Sequence, residues 1–243
     1  MLVPRTELKK LSSLLTKKER RRHRMFLAEG VRVLEEAVRH GFLPHTVYYA
    51  PSDLSARGRK LIDRFRQRSV KVETVSTRDL RVIADTETPQ GVVALFSLPE
   101  TGLSELFRSA FRRLLLCENI ADPGNLGTLI RSALAFGFDM VILAGDSAEP
   151  YAPKAVRSSA GAIFGIPIAV ATLSELLRFI GQEKPHVIAA DPKGSDKVAL
   201  PRRLNPKRRL LVAVGSEAKG LSREILRIAG RRVRIDHLAV VES

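Results

Sequence analysis

The stretch NIADPGNLGTLIRSALAFGFDMVIL, residues 119–143, decides the fold. It reads as a tight loop, then a helix, then a strand. Leu126, Leu129, Ile130, Ala133, Leu134 and Gly137 fall at i, i+3, i+4, i+7, i+8 and i+11, a single apolar stripe. At about 100° per residue, Arg131 lies roughly 130° from the centre of that stripe and points away from whatever the helix covers. Asn125 stands at the expected helix start, where asparagine is a favoured N-cap. The plain alternatives are a cap for Asn125 and a solvated surface charge for Arg131.

Around this stretch, strands and helices alternate. The expected strands are RLLLCEN (113–119), FDMVIL (138–143), IPIAVA (166–171), HVIAAD (186–191), LLVAVG (210–215) and RRVRID (231–236). Helices are expected near Leu126 to Phe136, Pro153 to Phe164, Leu173 to Ile180 and Leu221 to Ala229. Short, near-continuous apolar runs of this kind belong to a mostly parallel sheet with helices on both faces. Ligands of such α/β sheets bind at the carboxyl ends of the strands. The unusual loops are there: ENIADPGN, GSEAKGLS and DHLAVVES. In the second, Gly215 and Gly220 flank Glu217 and let the backbone approach a ligand closely. Neither GxGxxG nor GxxxxGK[ST] occurs there, so no dinucleotide or P-loop fingerprint is present.

The chain up to Phe96 has its own βα rhythm. Val31, Leu34 and Val38 lie on one helical face, HTVYYA and VKVETVS read as strands, ARGRKLIDRFRQRS is a basic amphipathic helix, and TPQGVVALFSL closes the unit. PETGLSELFRS reads as a linker. The expected organisation is a small α/β domain over 1–98, a linker over 99–110 and a larger domain over 111–243.

The 243 residues carry 41 Lys+Arg against 26 Asp+Glu, a net charge of +15. The excess is spread over both halves. A folded chain this basic suits a polyanion, foremost nucleic acid, with a solubility surface as the alternative. The runs KKERRRHR (17–24) and PRRLNPKRR (201–209) are natural phosphate-binding stretches, or else a solvated arm and loop. Aromatics make up 5% and tryptophan is absent, which argues against base stacking on an exposed sheet. Cys117 is the single cysteine, so no intrachain disulfide and no cysteine-based metal site is expected; it reads as a core residue. No signal peptide and no membrane-spanning stretch is apparent, and a cytoplasmic location is expected.

The ordered set DPGNLGTLIRSA, VRSSAGAIFGIPI, LVAVGSEAKGLS and RIDHLAVVES resembles the SpoU/TrmH-type RNA ribose 2′-O-methyltransferases of the SPOUT superfamily. FLAEGVRVLEEAV and TPQGVVALF resemble the small RNA-binding domain often fused in front of it. The resemblance implies a trefoil knot, an exception among protein chains. It also implies S-adenosylmethionine as methyl donor, an RNA ribose as acceptor and a homodimer; the front domain and the high charge favour ribosomal RNA ahead of transfer RNA, and with no Cys/His cluster at metal spacing no metal is expected. Asn125, Arg131, Glu217 and Ser243 fall on the family's catalytic positions. Gly215 and Ile235 fall where backbone groups hold the cofactor, and Gly220 is grouped with them. The third motif departs from the family pattern, with Asp236 in place of proline, and it stops at Ser243, so the 111–243 domain reads as cut short at its C-terminus. A non-catalytic RNA-binding homologue that has lost the cofactor is the alternative.

Overall fold

A computed structural model describes residues 3–99, 102, 111–194, 196–197 and 209–235. The chain divides into two compact units that do not follow sequence order. The first gathers Met1–Glu100, Pro123–Arg131 and Glu149–Gly165; the second gathers Thr101–Asp122, Ser132–Ala148 and Ile166–Ser243.

The first unit is built on a four-stranded sheet of β1 (Met25–Glu29), β2 (Thr46–Tyr49), β3 (Lys71–Thr74) and β4 (Val92–Ser97), in the order β1-β4-β2-β3. β4 runs antiparallel to both its neighbours, and β2 is parallel to β3. Leu8, Leu11 and Leu14, from the helix Arg5–Ser13 and its C-cap, pack with Leu27, Tyr48, Leu80 and Ile83 in the core. The basic run becomes the helix Lys17–His23, and β1 follows it. One of its arginines is no phosphate ligand. Arg20 is 3% exposed, donates from Nη1 to the carbonyls of Leu14 and Leu15 at 2.8 Å, and pairs with Glu149. A guanidinium buried this deeply needs a partner for nearly every N–H, and here it has them.

Glu149–Gly165 is integral to this unit. Tyr151 and Phe164 pack their rings against Phe26 and Phe96, with ring centroids 4.8–6.1 Å apart. Arg157 pairs with Asp85 and Glu29. The single helix expected from Pro153 to Phe164 is instead broken. It runs Pro153–Ser158, turns through Ala160 (φ 51°) and Gly161 (φ 90°), and resumes as one 3-10 turn at Ala162–Phe164. The physical reason is Ser-Ser-Ala-Gly. The Ser159 hydroxyl bonds back to the Val156 carbonyl at 2.7 Å, and glycine takes up the left-handed turn.

The second unit contains β5 (Arg113–Glu118), β6 (Met140–Ala144), β7 (Ile168–Ala171), β8 (His186–Ala190), β9 (Asp196–Lys197), β10 (Leu210–Gly215) and β11 (Arg231–Arg234). They form one sheet in the order β7-β6-β5-β10-β8-β11-β9, parallel at every pairing. All the expected strands of this part are present; the short β9 was not foreseen. Leu114, Leu116, Met140, Ile142, Leu211 and Ala213 alternate into a core with Leu176 and Phe179 of the helix Leu173–Glu183 and Ile225 of the helix Arg223–Ile228. That longer helix opens on a reciprocal capping box between Thr172 and Glu175. Because the strands are parallel, β5, β8, β10 and β11 all end at the same edge of the sheet.

Candidate functional site

At that edge Gly215, the last residue of β10, is the register partner of Glu118, the last residue of β5. Beyond Gly215 the chain folds tightly back on itself. Ser216 and Gly220 form an isolated antiparallel bridge, with the Gly220 N–H donating to the Ser216 carbonyl at 2.8 Å. The Ser216 hydroxyl accepts from the Lys219 N–H at 3.1 Å. A Cβ on Gly215 would lie 2.2 Å from the Gly220 carbonyl carbon, so no side chain fits there without moving backbone. Gly220 answers to a different demand: its φ is 66°, and a Cβ there would meet nothing within 4 Å. One glycine is required by space, the other by conformation.

The loop walls a cleft of about 800 Å³. Its other walls are Ala190–Lys193 after β8 and Val233–Ile235 at the end of β11. The β8 loop is fixed by an Asx turn: the Asp191 carboxylate accepts from the Lys193 N–H at 2.9 Å, and the Asp191 N–H donates to the Val233 carbonyl at 3.0 Å. The lining combines apolar Val214, Leu221, Leu226 and Val233 with charged Asp191, Lys193, Glu217, Lys219 and Arg234. Of the sequence-derived candidates, the structure thus brings Gly215, Glu217, Gly220 and Ile235 together on one cleft. Ile235 is 70% exposed. Ser243 lies outside the described residues, as does the loop DHLAVVES.

Asn125 and Arg131 share one face of their own helix. Their helix runs Pro123–Ala135, so Asn125 is its third residue and not its N-cap. Pro123 takes the first position, where its fixed φ suits the helix and its missing N–H costs nothing. Leu126, Ile130 and Ala133 are buried, while Asn125, Thr128 and Arg131 are exposed and follow one another at a spacing of three. Gly127 explains the second glycine of the GNLG stretch. A Cβ there would sit 2.5 Å from the Ala155 carbonyl oxygen and 2.7 Å from the Ser158 Cβ, so the two helices cross in close contact.

Sequence inspection missed several supporting residues. Gly127 needs a partner that arrives some thirty residues later in the chain. The DPKG turn at 191–194 carried a readable turn signal. Glu118 closes an apolar run, where it reads as the start of a loop. Cys117, beside it, is fully buried, and burial pushes its thiol up to about 12, which suits a core residue and no nucleophile. Among the described residues no group of three or more His, Cys, Asp or Glu is placed to hold a metal ion, and no helix is long and apolar enough to cross a membrane.

Comparison with known proteins adds to this geometry. The chain is 32% identical over 237 residues to an uncharacterized tRNA/rRNA methyltransferase of Synechocystis sp., covering 97% of this chain and 84% of that protein. It is 32% identical over 167 residues to the 23S rRNA (guanosine(2553)-2′-O)-methyltransferase RlmP of Bacillus subtilis, covering 67% of this chain and 60% of that protein. The crystal structure of the AdoMet-bound rRNA methyltransferase from Sinorhizobium meliloti superposes with a TM-score of 0.82 at 26% identity, covering all of this chain and 90% of that one. Residues 5–94 match the MRM3-like substrate binding domain, and residues 112–243 match the SpoU rRNA Methylase family. With its parallel sheet, its folded-back glycine loop and its Asn-to-Arg helix face, the chain belongs to the SpoU rRNA methylase family.

Proposed function

We propose that this protein methylates a ribose 2′-hydroxyl of structured RNA, ribosomal RNA in preference to transfer RNA, with S-adenosylmethionine as donor. The observation that carries this is the cleft at the carboxyl edge of the parallel sheet, walled by a backbone loop into which Gly215 admits no side chain. A space of about 800 Å³ suits a nucleoside-sized ligand. Its apolar residues suit a purine and its charged residues suit an amino-acid moiety.

When bound, S-adenosylmethionine supplies an electrophilic methyl group; the protein supplies placement and charge. The attacking hydroxyl must lose its proton. A guanidinium offers donors and no acceptor atom, so Arg131 serves in another role than the base. It clamps an RNA phosphate with paired N–H donors and steadies the developing alkoxide, while a phosphate oxygen or water takes the proton. Asn125 and Glu217 orient Arg131 and the ribose, and Ser243 contacts the substrate or the loop that closes over it. Backbone groups of Gly215, Gly220 and Ile235 hold the cofactor. Residues 1–98 serve as the RNA-binding domain, joined through 99–110 to the methyltransferase domain at 111–243. The knotted topology, the homodimer and a cytoplasmic location complete the proposal.

The test is transfer of labelled methyl from S-adenosylmethionine to ribosomal and transfer RNA, followed by alkaline hydrolysis. A 2′-O-methyl ribose cannot attack its neighbouring phosphodiester, so label retained in an alkali-resistant dinucleotide identifies the product. Label in ribosomal RNA is the expected result. RNA binding without cofactor binding would replace the proposal with the non-catalytic homologue.

A further inference from the structure

Glu118 is 3% exposed at the end of β5, the strand flanked by β6 and β10. A carboxylate buried at the end of the apolar run RLLLC is costly unless it is satisfied. Its Oε2 accepts a hydrogen bond from the backbone N–H of Ser222 at 2.7 Å, across 104 residues of sequence. Ser222 is in turn the N-cap of the helix Arg223–Ile228, accepting from the Ile225 N–H. Between Gly215 and Ser222 lies the folded-back loop that walls the cleft.

Glu118 therefore holds this loop at both ends. Its backbone is the ladder partner of Gly215, where the loop begins, and its side chain holds the N–H of Ser222, where the loop ends. Within the loop, the Ser216 hydroxyl accepts from the Lys219 N–H and the Ser216 carbonyl from the Gly220 N–H, and these local bonds shape the turn. We propose that Glu118 is a positioning residue for the cofactor: it touches neither donor nor RNA, and it sets the loop that does. The proposal rests on the methyltransferase reading of the cleft.

The test compares the wild-type chain with Glu118→Gln, which keeps an acceptor oxygen, Glu118→Asp, which draws the carboxylate back by one methylene, and Glu118→Leu, which removes it. Two readouts are needed. The first is amide hydrogen exchange at Ser222, independent of any ligand. Loss of a charge-assisted hydrogen bond should speed it by at least about tenfold in the Leu and Asp variants, with amides of the helix Pro123–Ala135 unchanged. The second is calorimetric binding of S-adenosylmethionine beside filter binding of a ribosomal RNA transcript. Cofactor affinity should fall about tenfold in Leu and Asp, recover in Gln, and leave RNA affinity unmoved. Should Leu fail to fold, Asp carries the comparison. Unchanged Ser222 exchange in Asp would overturn the proposal, as would equal losses of cofactor and RNA affinity. A wild-type chain that bound no S-adenosylmethionine would sink the methyltransferase assignment by itself, and Ser222 exchange would still decide whether Glu118 holds the loop.

Discussion

The helix Pro123–Ala135 and the loop Gly215–Ser222 serve the same proposed reaction by opposite means. The helix presents side chains: Asn125, Thr128 and Arg131 stand exposed along one strip, and the opposite stripe is buried. The loop depends on the absence of a side chain, because its backbone lies where a Cβ of Gly215 would be. The first kind of site tolerates changes of neighbouring backbone but not of side-chain chemistry. The second tolerates a change in exposed Ala218 but not one added carbon at Gly215. Substitutions in the two regions should therefore damage different steps.

The largest effect is expected for Gly215→Ala. Its new Cβ would meet the carbonyl carbon and oxygen of Gly220 at 2.2 and 2.4 Å and the Leu221 nitrogen at 2.5 Å. Backbone cannot rotate away as a side chain does, so the loop must move. Overpacking of this kind costs about 1–3 kcal/mol or more, and moving the cleft wall turns most of that into lost affinity. Calorimetry should show S-adenosylmethionine binding weakened by about two orders of magnitude, with RNA affinity retained. Retained cofactor binding would mean that the loop is not the wall that matters.

The contrast between helix and loop also explains what the sequence discloses. The stripe of Leu126, Ile130 and Ala133 is local and periodic, so the helix and the outward aim of Arg131 are legible from spacing alone. The strands of the parallel sheet are legible for the same reason, as compact apolar runs. Arg20 is not: in KKERRRHR it looks like its neighbours, and only its burial against the carbonyls of Leu14 and Leu15 and the carboxylate of Glu149 separates it from exposed Arg21. Glu149 lies 129 residues away. Gly127, Glu118 and the break after Ser158 share this property, since each is settled by a partner distant in sequence or by a local competition that periodicity does not register. Long-range pairing is what a single sequence hides.

On the helix, Arg131→Lys is the sharper substitution, because it keeps the charge and removes the paired donors. If Arg131 stabilises the developing alkoxide, kcat for methyl transfer should fall about 10²–10³-fold, as for loss of an oxyanion donor, with cofactor affinity within about twofold of wild type. That pattern is the inverse of Gly215→Ala. A lysine variant that kept its kcat and lost only RNA affinity would reduce Arg131 to a clamp and leave the alkoxide to some other group.

The smallest effect separates two glycines of one loop. Gly220 holds φ at 66°, yet a Cβ there would meet nothing within 4 Å. Gly220→Ala therefore carries only the conformational penalty of the left-handed region, about 1–2 kcal/mol, and no clash. Asparagine enters that region more readily than alanine, so Gly220→Asn should recover part of the loss. If the loop acts through its backbone shape, S-adenosylmethionine affinity should fall in the order wild type, Asn, Ala, by about tenfold or less at the extreme and well short of Gly215→Ala. Asparagine and alanine differ in bulk in the opposite sense. An Asn variant weaker than the Ala variant would therefore mean that the space above Gly220 is occupied in the bound state, and that Gly220 faces the ligand directly instead of shaping the loop beneath it.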